Sequence, residues 1–125
     1  GGDGYVLISG AGCTPTPATT TSTTLISSAF TAASVPTSAR IVVFEENVGT
    51  PTLNTDIIAY ASRDGGSTFT TATLADSGYV TGASGQRILT GQATISGQPS
   101  GQSMRWKLAL ANNTVKVHGV SLQWA

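Results

Sequence analysis

The chain has 125 residues, 39% of them hydrophobic and only 10% charged, with six basic and six acidic side chains and a formal net charge of zero. One domain of this size buries a core without disulfides or metal. The charge balance excludes a nucleic-acid groove, which needs a basic surplus, and the hydrophobic share excludes a charged disordered tail.

Cys13 is the sole cysteine, so no intrachain disulfide forms, and the sole histidine, His118, is far from it in sequence. No stretch has the length of a membrane span or the pattern of a signal peptide, and membrane insertion is not expected. The chain begins Gly1-Gly2 rather than with methionine. That start suggests a trimmed or excised fragment and is silent on export.

Threonine, serine, glycine and alanine dominate, strong helix formers are scarce, and short alternating runs are broken by Gly, Pro and Asn. This pattern predicts an all-β fold, an antiparallel β-sandwich of about eight strands. The first strand is Tyr5 to Ser9. Gly10 to Thr24, with Thr14-Pro15-Thr16-Pro17, reads as an extended segment, so residues 1–24 are a strand plus a Thr/Pro-rich arm and 25–125 the sandwich domain. Leu25 to Ala32 is a strand, and Val35-Pro36 turns the chain. Arg40 to Glu46 holds the most apolar run (Ile41, Val42, Val43, Phe44), which predicts a central strand buried on both faces. Asn47 to Asn54 is a loop. Asp56 to Arg63, Thr68 to Leu74, Arg87 to Ile95, Met104 to Ala111 and Thr114 to Trp124 complete the set.

Asn112-Asn113 between the last two strands reads as a hairpin turn, since Asn tolerates positive φ. That register puts Trp106 in the core, faces it with Gly119, and leaves Lys107 and His118 on the wetter face. After Gly119 the apolar parity shifts to Val120, Leu122 and Trp124. A β-bulge near His118-Gly119 accounts for the shift, and cover on both faces is the alternative.

Ser62-Arg63-Asp64-Gly65-Gly66-Ser67-Thr68-Phe69 resembles the Asp-box of sialidases and related β-propellers. Its physics is that of a turn: Asp binds local N–H groups and the paired glycines supply positive φ. Ser62, Asp64, Gly65, Gly66 and Thr68 are therefore structural turn residues. The motif occurs once, and a propeller repeats it and needs far more chain.

No catalytic constellation is legible. Glu45 and Glu46 point to opposite faces of one strand and read as its solvated end. His118 lacks a nucleophile motif, and no dense Asp/Asn loop offers a calcium site. No catalytic residue, metal or cofactor is expected. Among the aromatic residues Trp106 reads as core, while Tyr79 and Trp124, with His118, are the candidate ligand surface.

Met104-Arg105-Trp106-Lys107-Leu108 through Asn112-Asn113 to Trp124, with the Asp64–Phe69 turn, resembles the small β-sandwich modules of phage tail and tail-fibre proteins. The resemblance spans roughly the last two-thirds of the chain. It implies a jelly-roll-like, non-enzymatic virion structural module. Such a module is homotrimeric, contacts other virion or tail proteins, and serves tail assembly or receptor binding on a host-surface glycan. A carbohydrate-binding module attached to an enzyme or extracellular surface protein is the alternative. No nucleic-acid partner is expected.

Overall fold

The computed structural model describes residues 4–9, 22–79, 86–112 and 114–125. The described chain is all-β and carries nine strands: β1 (Gly4–Ser9), β2 (Ser22–Ile26), β3 (Phe30–Thr31), β4 (Ser38–Asn47), β5 (Ile57–Ser62), β6 (Thr70–Tyr79), β7 (Gln86–Thr94), β8 (Ser103–Ala111) and β9 (Val115–Trp124). Pairing between them is antiparallel, in the order β1-β9-β4-β7-β6-β5-β8-β2, with β3 also on β8. One continuous sheet therefore curls into a half-barrel around one core, not into two separate sandwich sheets.

β6 is the crease. Its first residues pair with β5 (Ala72 opposite Ala59) and its later ones with β7 (Thr73 opposite Gln92). Where β6 leaves β5, the Asn54 amide takes over: Leu74 N donates to Asn54 Oδ1 at 2.8 Å, and Asn54 Nδ2 donates to Leu74 O at 3.0 Å. Gly91 lies inside the crease, where a Cβ would stand 2.8 Å from Thr73 O and 3.1 Å from Ala72 O. No larger residue lets the backbones approach so closely.

The core joins Ile41 and Val43 of β4, Ile57 and Ala59 of β5, Leu89 of β7, Met104, Trp106 and Leu108 of β8, and Val120, Leu122 and Trp124 of β9. β4 is central in its half, between β7 and β9. Its apolar run is nonetheless not buried on both faces. Odd positions are fully buried, while Val42 and Phe44 are half-buried on the outer side.

The predicted Leu25 to Ala32 strand is split into β2 and β3 at Ser27. There Ser27 Oγ accepts from Trp106 N at 3.0 Å and donates to Ser28 O at 2.9 Å, so a side chain replaces a ladder bond. Residues 22–24, assigned from sequence to the extended arm, begin β2; residues 10–21 of that arm lie outside the described residues.

The β8–β9 hairpin is corrected. β8 pairs with β5, β2 and β3, whereas β9 pairs with β4 and β1. The chain at Asn112 thus crosses from one half of the sheet to the other. Asn112 does take a positive φ of 63°. However, its Nδ2 donates to Asp56 Oδ1 at 2.6 Å and Ala111 N donates to Asp56 O at 2.8 Å, tying the turn sideways to the loop before β5. Gly119 consequently lies opposite Phe44, not Trp106. The predicted bulge is present: Phe44 opposes Gly119 and Glu45 opposes Val117, leaving His118 as the extra residue.

Buried Arg63 fastens the loops at one end. Its guanidinium donates to the carbonyls of Pro36 (2.8 Å), Ser96 (3.0 Å), Pro99 (3.1 Å) and Gln98. A cation satisfied by four carbonyls needs no carboxylate partner.

Candidate ligand groove on the outer sheet face

The Asp-box-like turn is built as its sequence implies, and it closes the β5–β6 hairpin. Asp64 Oδ1 accepts from Ser62 Oγ at 2.7 Å and from Thr68 N at 2.9 Å, while Gly66 N donates to Ser62 Oγ at 3.0 Å. Gly65 and Gly66 have φ of 76° and 95°. Burial pushes the Asp64 carboxyl up, but the bonds from Ser62 and Thr68 outweigh it and hold the group below the usual value.

At the opposite end of the sheet two register breaks flank a polar cluster, one at Glu45 on β4 and one between Asp76 and Tyr79 on β6. Glu45 is not solvated, as its sequence position implied, but 0% exposed. It accepts from Arg87 Nε at 2.6 Å, and the Asn47 amide, turned so that its nitrogen faces the carboxylate, donates at 2.9 and 3.0 Å. Burial raises the Glu45 pKa above the ordinary range, and Arg87 offsets this only in part. Arg87 Nη1 also reaches Asp76 Oδ2 at 3.1 Å. Asp76 is held below its usual value, first by the Gly78 backbone N–H and then by Arg87, against burial. On the other side of β4, His118 Nε2 lies 2.9 Å from Glu46 Oε1.

Of the three candidate ligand-surface residues, Trp124 is corrected. Trp124 is 7% exposed and belongs to the core, so it has no face to offer a ligand. Trp124 lies opposite buried Ala39 of β4, on the core-facing side of β9. His118 is half-buried against Glu46, and the Tyr79 side chain lies outside the described residues. On the other half of the sheet the Tyr60 and Phe69 rings meet edge-to-face at 6.4 Å, with Lys107 Nζ 4.3 Å from each centroid. That arrangement pins the end of the Asp-box hairpin to β8 and occupies the ring faces with a cation.

An open concave feature lies on the outer face beside the crease. It is a shallow groove of about 500 Å³ lined by Arg40, Thr73, Thr90, Gly91 and Gln92. Strand pairing builds it, because Arg40 of β4, Gln92 of β7 and Thr73 of β6 fall in one row across three strands, with Gln123 of β9 on the other side of Arg40. All four are exposed. Thr90 stands one row along, its Oγ1 3.0 Å from Ser77 Oγ. The row offers a guanidinium, two amides and hydroxyls, a set suited to holding a polar ligand by hydrogen bonds. Sequence reasoning passed over these residues. Gly91, isolated in a strand, was the available signal of a close backbone approach, but only the register brings Arg40, Gln92 and Thr73 together.

Neither a family model nor a curated protein sequence matches the chain. Among solved structures, that of FlhE aligns over 99% of this chain and 96% of that one, at 12% identity and a TM-score of 0.45.

Proposed function

We infer that this chain is a non-catalytic binding module that presents the outer face of its curled sheet to a host-surface glycan. The observation that carries this reading is the polar groove beside the crease, lined by Arg40, Gln92, Thr73 and Thr90 from three paired strands. The carboxylates support it. Asp56 accepts from Thr52 N at 2.8 Å and from Asn112, Asp64 is held by its turn, Glu45 and Asp76 by Arg87, and Glu46 by His118. Each described carboxylate thus serves the fold.

The setting proposed is a virion tail, where the module acts in attachment or assembly as a homotrimer beside other tail proteins. This rests on the sequence resemblance, chiefly at the Asp64–Phe69 turn, because β8 and β9 are not a hairpin. Three copies would multiply a weak single-site affinity. An immobilised glycan panel tests the function. Retention of the wild type on at least one glycan, lost in a Thr73→Val/Gln92→Ala double variant of unchanged thermal stability, is expected. Retention on no glycan, or retention unaffected by the double variant, contradicts the reading.

A further inference from the structure

We propose that the ligand of this groove is an acidic saccharide, its carboxylate seated on Arg40 and its hydroxyls bound by Gln92, Thr73 and Thr90. The inference rests on the reading of the groove as the ligand site and adds its chemical class.

Arg40 is the groove's sole charged lining residue and has no hydrogen-bond or ion-pair partner among the described residues. The other arginines are engaged: Arg63 with loop carbonyls, Arg87 with Glu45 and Asp76, and Arg105 with Ser27 O at 2.8 Å. Among the described residues no acid compensates Arg40 locally. Its neighbours across the strands are Gln92 and Gln123, and Glu46, the acid on the same face of β4, is six residues away, about 20 Å along an extended strand. Glu46 is in any case occupied by His118.

A planar guanidinium without a partner among the described residues matches a carboxylate, which it binds with two parallel N–H···O bonds. The remaining groove groups are neutral amides and hydroxyls, which complement hydroxyls rather than further charge. One cation among them fits a singly charged ligand and not a polyanion, whose capture takes several basic residues.

The test compares uronate- and sialate-bearing oligosaccharides, each beside its carboxyl-reduced form, by isothermal titration of wild type, Arg40→Gln and Arg40→Lys. Arg40 is exposed, so both variants are expected to fold, which a thermal melt monitors. The wild type is expected to prefer at least one acidic form by about tenfold or more, as charge-assisted bonds imply. Arg40→Gln erases that preference, Arg40→Lys keeps part of it, and added salt weakens it. Equal wild-type affinity for acidic and reduced forms, or a preference that survives in Arg40→Gln, overturns the proposal while leaving a glycan-binding groove in place. Failure of the wild type to bind any saccharide, acidic or reduced, removes both.

Discussion

Glu45 and Arg87 show at the residue scale why charge counting misleads in a chain with so few charges. A buried carboxylate is tolerable here because Arg87 and Asn47 hold it. Arg87→Met strands Glu45 and is expected to cost about 3–5 kcal/mol in chemical denaturation, whereas Glu45→Met/Arg87→Met together recover most of that loss. The pH response has two opposed parts. Asp56 is depressed, first by the Thr52 N–H and then by Asn112; Asp64 and Asp76 are depressed too. Their stabilisation is present above the unfolded pKa and is lost as pH falls through the folded values. Glu45 is raised, so its contribution is present below its unfolded pKa and is lost as pH rises through the folded one. The denaturation midpoint is therefore expected to fall below about pH 4, and Asp56→Asn/Asp64→Asn to flatten that acid limb. A limb unchanged in the double variant would contradict this assignment. Trp106 is 6% exposed and its Nε1 has no partner. Trp106→Ala is expected to cost about 3–5 kcal/mol; Trp106→Phe costs less, because it also removes an unsatisfied donor.

Two devices shape the sheet at the element scale, the His118 bulge and the Gly91 crease. The bulge keeps Val115 and Val117 on the same side as Val120, Leu122 and Trp124. Deleting His118 makes Val117 and Gly119 consecutive, opposite Glu45 and Phe44, so the ladder becomes regular and Val120, Leu122 and Trp124 keep their face. Circular dichroism is expected to show a folded β chain, whereas inserting one further residue after Gly119 turns that apolar set outward and is expected to unfold it. His118→Ala keeps the residue count and is expected to cost under about 1 kcal/mol. Gly91→Ala pushes a methyl onto Thr73 O and Ala72 O and is expected to cost about 1–3 kcal/mol. The strands themselves and the bulge were legible in the sequence, because both are written in local alternation. Partner choice was not. Asn112-Asn113 encodes a positive φ, and nothing local distinguishes a hairpin from a crossing between sheet halves. That decision belongs to Asp56 and to β4 and β5, far along the chain. The same gap put Trp124 on a surface, since no local signal sets it opposite buried Ala39 of β4, and it hid Arg40, whose significance comes from neighbours 33 and 52 residues away in Thr73 and Gln92.

On the scale of the whole molecule, the sheet order leaves β1 and β2 at its ends, and Ile26 and Val48 are 54% and 55% exposed. Exposed apolar side chains and zero net charge favour association. The proposed homotrimer is expected to scatter light as three 12.6 kDa chains at micromolar concentration; a stable monomer contradicts it. The central claim is narrower and lies in the groove. Its most direct measurement is amide chemical-shift mapping of the labelled chain during titration with a panel-selected glycan. The account predicts saturable shifts at Arg40, Thr73, Thr90, Gly91 and Gln92, with Tyr60, Phe69 and Lys107 unmoved. Shifts centred on the Lys107 cluster or on the His118 end of the sheet, with the groove silent, would contradict it.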